Sequence, residues 1–380
     1  MTINSLFYNL HTGLIEDFTE KGLSDLKLGI IRTPLPSKET FKDDPLRLLR
    51  CIRFSTRFNF NLDFEIFETV KTDSIKVALM EKISRERVGI EIDKMLQGRD
   101  PLSSLKLIHE LGLYLVVFRP PSDVTRNSII DSSLAIKTAQ WLNQLITLNH
   151  SNLSLHPLLM NSLASSTNIR RRLFLACALT PFQNLKVKLG KREVWAGEVC
   201  ISDSLKLGNH DKTFVTRLFQ ALNIVNTSHF SALQKNPTSL RTQLGQLLRS
   251  PIVHDLKQLE SLDSSSWQAS FVFGLVIELS QLDSNLNSTD QELAQQLIQK
   301  YNKLVDKIIE LGLPLILTPE FDKRRLDGNE ICQLMNIKPG KQVAAIITRL
   351  IERQIEFPDQ TKQEGAEWLQ EEVKSGRLVI

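Results

Sequence analysis

"KDDPLRLLRCIRF", residues 42–54, marks the point where the chain turns helical. Asp44 suits an N-cap and Pro45 the first helical position, because proline lacks an N–H that would be orphaned there anyway. Carboxylates also complement the positive end of a helix dipole. On a helix at about 100° per residue, Arg47, Arg50, Arg53 and Arg57 fall within roughly a third of the circumference. Leu48, Leu49, Cys51 and Ile52 cover much of the rest. One side can pack while the other presents guanidinium groups.

From about Asp43 onward the apolar period stays helical, with candidate helices over 45–58, 63–71, 84–97 and 102–112. Upstream, "SLFYNL" and "GLIEDF" flank the turn "HTG" and predict a hairpin. "KGLSDLKLG" reads as a short helix ended by glycine, and "IIRTPLP" as a strand closed by two prolines. Pro120 and Pro121 mark a boundary. Residues 122–310 read as helices with polar connections, "ESLDSSSW" and "QLDSNLNSTD" among them. "FVFGLVIEL" (271–279) fits a core helix. A last segment, about 311–380, opens with "LGLPLILTPEF". No repeat at solenoid periods is present. The fold class expected is mainly α, with a small α/β piece at the front.

The 380 residues are 24% charged and 42% hydrophobic, an ordinary globular balance, long enough for two or three domains. The formal charge of +4 permits an RNA or phosphate partner without demanding one, so its placement matters. Between Asn161 and Arg192 stand Arg170, Arg171, Arg172, Lys186, Lys188, Lys191 and Arg192, with no acidic residue. That cluster reads either as a solvated helix end and loop or as a contact for a phosphate backbone. Cys51, Cys177, Cys200 and Cys332 lie far apart and read as reduced, buried thiols. The seven histidines have no metal-ligand spacing. No apolar run reaches the roughly 18 residues of a membrane helix, and no signal or transit pattern opens the chain.

Asp44 and Arg47 are three apart, so they lie side by side at the helix start. A local salt bridge is one reading, worth a few tenths of a kcal/mol. Hydrogen-bond inventory gives a sharper one. A carboxylate only accepts and a guanidinium only donates. Together they match cytosine and adenine, whose amino groups donate beside accepting ring atoms. Guanine O6 and uracil O4 would face the carboxylate with a lone pair. In "KISRERVGIEIDKML" (82–96), Ser84 is the expected N-cap, with Glu86 and Arg87 in the first turn. Arg85, Glu86 and Arg87 are expected to brace the first helix by salt bridges.

These residues resemble the class II tRNA nucleotidyltransferases, the CCA-adding enzymes, of eukaryotic, fungal-like type. The matching stretches are "TINSLFYN" (2–9), "GLIEDFTEKGLSDLKLGIIRTP" (13–34), "FKDDPLRLLRCIRFSTRFNF" (41–60) and "KISRERVGIEIDKML" (82–96). "LDGNEICQLMNIKPG" (326–340) resembles the family's tRNA-binding tail more weakly, and Arg353-Gln354 stands where the family usually has Trp-Gln. "LKVKLGKREVW" and "SDSLKL" carry a diffuse likeness in the middle. The resemblance implies a head remnant over 1–40, a nucleotide-selecting neck over 41–118, a body over 119–310 and a tail over 311–380. It implies that Asp44 and Arg47 pair with the base of CTP or ATP. Asp43, Arg50 and Arg53 would line the same pocket, and Thr2 and Asn4 would belong to the motif that shapes the sugar–triphosphate site, as nucleotide-binding residues. The family partner is tRNA, held through its acceptor stem and 3′ end. RNA contacts are expected from Arg170, Arg171, Arg172, Lys186, Lys188, Lys191, Arg192, Lys338 and Lys341. No membrane partner and no obligate protein partner is implied.

One departure matters. In the family, "TIN" follows Arg-Arg-Asp and one further residue, and further upstream lies the Asp-x-Asp pair that binds Mg2+. No Asp-x-Asp occurs anywhere in this chain. Two-metal phosphoryl transfer needs such carboxylates. The expectation is a chain lacking the N-terminal part of the catalytic head, through an internal methionine read as a start or a partial sequence. It would keep base selection and tRNA grip without the chemistry. The rival expectations are a tRNA-binding subunit that works with a separate head, and a relative adding only CC or only A. The family implies a mitochondrial, cytoplasmic or nuclear location, with any targeting region outside these residues.

Overall fold

The computed structural model describes all residues except 122–123, 125–127, 148–153, 234–238, 255–266, 283–287, 319–320, 322–325 and 379–380. The polar connections expected at 260–267 and 281–290 lie largely outside the described residues.

The hairpin forms as read: β1 (Leu6–Tyr8) pairs antiparallel with β2 (Ile15–Asp17). The Asn9 side chain stitches its turn by accepting from the His11 and Thr12 N–H groups at 2.9 and 3.2 Å. Helix α1 (Gly22–Leu28) stops at Gly29, whose φ of 67° suits a residue without Cβ. β3 (Ile30–Ile31) then pairs parallel with β4 (Asn61–Leu62). Between them run α2 (Ser37–Asp43) and α3 (Leu46–Phe58). Helix α2 is an addition, because the short run "SKETFKD" has no apolar period to announce it. Helix α3 starts one residue later than expected. Pro45 is its cap residue, and the Asp44 carboxylate accepts from the Leu46 N–H at 3.2 Å.

Helices α4 (Phe64–Val70), α5 (Asp73–Glu81), α6 (Arg85–Leu96), α7 (Pro101–Glu110) and α8 (Tyr114–Val117) complete the first third. Asp63 caps α4 and Asp100 caps α7 through their side chains. Helices α3 and α6 pack side by side, with Leu48, Leu49, Ile52, Val88 and Ile92 buried.

The central helices include 133–147, 157–165, 167–179, 209–221, 240–249, 267–279 and 288–310. The 267–279 helix is buried along most of its length, as "FVFGLVIEL" predicts. One apolar core runs from Ile31 to Ile355 and crosses the prolines at 120–121. Gly89 shows how closely α6 meets the central helices: a Cβ there would sit 1.7 Å from the Leu205 carbonyl oxygen. Arg85 closes the same contact, donating to the Ser204 and Val116 carbonyls at 2.7 and 3.1 Å and also to the Val117 carbonyl.

A second, smaller core gathers Leu326, Ile331, Val343, Ile346 and Leu369. Its helices, 328–335, 341–356 and 362–374, include two with complete capping boxes, at Asp327/Glu330 and Thr361/Glu364. All four cysteines are unpaired, and Cys51, Cys177 and Cys200 are buried. Burial pushes the Cys51 and Cys200 thiols up to about 12. Among the described residues, no helix is long and apolar enough to cross a membrane.

Candidate functional site

Helix α3 carries its arginines along one side, and α6 lies beside it with the acids and bases that hold them. At the top of α3, the chain leaves α2 at Asp43 and turns through Asp44 and Pro45. Asp43 pairs with Arg47 at 3.0 Å, with the side chains 70% and 45% exposed. Asp44 pairs with Arg87 of α6 at 3.1 Å. The expected side-by-side Asp44–Arg47 pair is therefore corrected. Each member has a different partner, because α2 ends one residue before Asp44 and aims the neighbouring carboxylate at Arg47 instead.

One turn further along α6 sits Glu91, only 2% exposed. Its two oxygens receive Arg50 Nε at 3.4 Å and Arg53 Nε at 2.6 Å. Arg53 also lies over the Phe54 ring, 4.3 Å from its centroid. Arg87 and Glu91 are four apart and so share one face of α6. That face matches Asp44, Arg50 and Arg53 in order along α3. A buried carboxylate between two guanidiniums fixes their direction and leaves part of each facing out. Arg50 is 46% exposed even so.

The expected brace is thus partly corrected. Arg87 does bridge to α3, whereas Arg85 is spent on backbone carbonyls and Glu86 looks elsewhere. The Glu86 carboxyl is held below its usual range by its own N–H, the Ser84 hydroxyl and Lys206, against some burial. Ser84 stands at the N-cap as expected, without a cap bond from its side chain to the helix backbone. Glu91, the central acid, was not singled out from the sequence. The helical spacing of Arg87 and Glu91 is visible in "RERVGIEID", but the helix they face is set by the fold.

Thr2 and Asn4 sit in a single 3-10 turn. Thr2 is fully buried and its hydroxyl donates to Asp25 at 2.7 Å. Thr2 is therefore held by Asp25 and offers no surface to solvent. Asn4 is exposed.

The basic cluster at 170–192 divides. Arg171 and Arg172 are 5% and 6% exposed, which corrects the expectation that they meet RNA. Arg171 pairs with Asp93 of α6 at 2.8 Å and with Asp211, and Arg172 pairs with Asp211 at 2.7 Å. Burial raises the Asp211 carboxyl, and the two guanidiniums outweigh that and lower it overall. Asp93 ends on the other side, raised by burial despite Arg171. Arg170 is half-buried. Lys186, Lys188, Lys191 and Arg192 stay exposed on a hairpin of β5 (Lys186–Leu189) and β6 (Arg192–Trp195), where Lys186 pairs with Glu193. Lys338 and Lys341 are exposed before and at the start of the 341–356 helix.

Among the described residues, no group of three or more His, Cys, Asp or Glu side chains could hold a metal ion.

A family model described as "Probable RNA and SrmB- binding site of polymerase A" matches residues 59–122. The tRNA nucleotidyltransferase cca1 of Schizosaccharomyces pombe is 32% identical over 363 residues, covering 96% of this chain and 68% of that protein. The mitochondrial CCA tRNA nucleotidyltransferase of Saccharomyces cerevisiae is 31% identical over 379 residues, covering 96% and 66%. The chain thus spans about two thirds of the length of these relatives. The fold matches the Bacillus stearothermophilus CCA-adding enzyme solved with CTP, at a TM-score of 0.58, 15% identity, and coverage of 99% of this chain and 73% of that one. It also matches a Thermotoga maritima CCA-adding enzyme solved with tRNA, at a TM-score of 0.53, 16% identity, and coverage of 98% and 72%. Sequence stretches, helical order and similarity over nearly the whole chain agree: this chain belongs to the class II CCA tRNA nucleotidyltransferase family.

Proposed function

We propose that this chain selects CTP and ATP and holds tRNA for the addition of CCA to the tRNA 3′ end. The observation that carries the reading is the start of α3. There an acceptor-only and a donor-only side chain, Asp44 just before α3 and Arg47 in its first turn, stand three residues apart beside α6. Arg47 is engaged by the exposed Asp43, and Asp44 by Arg87, whose side chain is 45% exposed. A base can therefore take over both positions: its amino group donates to Asp44 while Arg47 donates to the ring acceptor. Exchange of this kind costs little, because exposed pairs are worth only about 0–1 kcal/mol. Glu91 keeps Arg50 and Arg53 directed along the same side, where they favour the negative charge of a bound nucleotide. In this reading residues 1–40 are the remnant of a head, 41–118 the neck, 119–310 the body and 311–380 the tail.

The chain supplies no Asp-x-Asp, so no metal-assisted step is assigned to its residues. A covering part is called for on other grounds. Phe7, Leu10, Leu14 and Phe18 of the hairpin are 58%, 86%, 65% and 74% exposed, more apolar surface than an isolated two-stranded unit keeps in water. This supports a head packing there, supplied by a longer form of the protein in the first reading or as a separate subunit in the rival one. A location in mitochondria, cytoplasm or nucleus follows from the family reading.

The test is direct. Equilibrium binding to the purified chain should favour CTP and ATP over UTP and GTP, and Asp44→Ala or Arg47→Ala should remove the preference. The chain alone should incorporate no nucleotide into tRNA lacking CCA. Incorporation would refute the assignment of the chemistry elsewhere. Equal binding of all four nucleotides by the unaltered chain would return Asp44 to a helix-start role only.

A further inference from the structure

The arginine row on α3 does not stop at Arg53. It reaches Arg57 in the last turn, beyond Glu91, where α3 and α6 both end. A cavity of about 620 Å³ opens between those two ends. Arg53, Arg57, Lys94 and Arg99 line it together with Thr56 and Gly98, and no carboxylate does. Arg53 is answered by Glu91. Among the described residues, no acid forms a close ion pair with Arg57, Lys94 or Arg99, although Asp93, itself bound to Arg171, feels the charge of Lys94, and all three cations are exposed.

Helix dipoles explain part of this. Arg57 and Lys94 sit in the last turns of their helices, where a cation is favoured by a few tenths of a kcal/mol. Two helix C-termini supply about half a negative charge each, roughly one in total. Three unpaired cations exceed that by about two charges. Arg99 lies past the end of α6 and is not needed by its dipole at all. A dent with this excess, a hydroxyl at Thr56 and a glycine that admits close approach suits a phosphate group.

We infer that this cavity is a second phosphate site, distinct from the base-selecting end of α3, and that it takes a phosphodiester of RNA. Arg47 and Arg57 are ten residues apart, about 15 Å along the helix. RNA is favoured over a second nucleotide because Lys94, Gly98 and Arg99 fall inside the stretch, 59–122, that matches the RNA-binding family model. The inference rests on the reading of the chain as an RNA-holding part of a nucleotidyltransferase.

The experiment titrates the full chain with a labelled tRNA lacking CCA, at several salt concentrations, and separately with CTP and with pyrophosphate. The combined variant Arg57→Ala/Lys94→Ala/Arg99→Ala should bind tRNA at least about tenfold more weakly. Its salt slope should be shallower by about one to two, since each phosphate contact contributes about 0.7–0.9. CTP binding should not change, and Arg57→Lys/Arg99→Lys should keep most of the tRNA affinity. Wild-type tRNA affinity and slope in the combined variant would overturn the site while leaving the broader reading in place. Loss of CTP or pyrophosphate binding with tRNA binding intact would make it a nucleotide site and also overturn it. If the unaltered chain binds no tRNA, both readings fall together.

Discussion

Two runs of arginine look alike in the sequence and end in opposite places. The row at 47, 50, 53 and 57 keeps one side in water, while Arg171 and Arg172 are sunk between helices. One helix, α6, serves both. Its Arg87 and Glu91 face α3, and its Asp93 faces Arg171. The row on α3 is held on one side only, so its guanidiniums remain able to meet a ligand. The Arg171–Arg172 pair is enclosed by Asp93 and Asp211, so its charge is consumed in joining α6 to the 167–179 and 209–221 helices. A run of cations therefore says nothing about exposure until the acids that meet it are known.

The comparison can be broken most severely at Asp211. Asp211→Ala leaves two buried guanidiniums without their shared carboxylate and should cost about 3–5 kcal/mol in urea unfolding. A loss below about 1 kcal/mol would mean the pair is not enclosed. Glu91→Ala should cost less, about 1–3 kcal/mol, because Arg50 can turn to solvent. It should also weaken CTP and ATP binding, which Asp211→Ala in a still-folded fraction should not. Equal effects of the two variants on nucleotide binding would erase the distinction drawn between the two runs.

Acid sharpens the same contrast. The Asp211 carboxyl is lowered in the folded chain, so its contribution to stability is present above the ordinary aspartate value and lost as pH falls through the folded value. The wild type should therefore lose more stability than Asp211→Asn between about pH 5 and pH 2.5. The raised Asp93 carboxyl works in the opposite sense, and it is present in both proteins. Parallel acid profiles for the two proteins would contradict this. The smallest expected change in stability is at the exposed end. Asp44→Ala and Arg47→Ala should each cost less than about 1 kcal/mol, although they alter nucleotide preference.

Much of the helical order was legible because apolar period and cap residues act over one or two turns. α3, α4, α6 and α7 fall within a residue or two of their expected bounds. The hairpin at 6–17 and the glycine stop at 29 were legible for the same reason. The short α2 and the four-residue α8 were not, since pieces this short have no period to read. At the site, Asp43, Asp44, Arg47, Arg50 and Arg53 were visible from spacing along one helix. Glu91, Asp93 and Asp211 were not, because they meet the arginines from 38 to 78 residues away.

The sequence by itself determined where α3 starts to within a residue, which of its sides packs, and the complementary chemistry of Asp44 and Arg47. These are local matters, settled by side-chain type and helical spacing. Only the tertiary structure decided which cations stay available. It took Arg171 and Arg172 out of water, turned Arg47 toward Asp43 and Asp44 toward Arg87, and left Arg57, Lys94 and Arg99 together at the far end of α3. The physical reason is that a charge keeps its hydration or gives it up according to what packs against it. That neighbour is chosen by the fold and not by the residues adjacent in the chain.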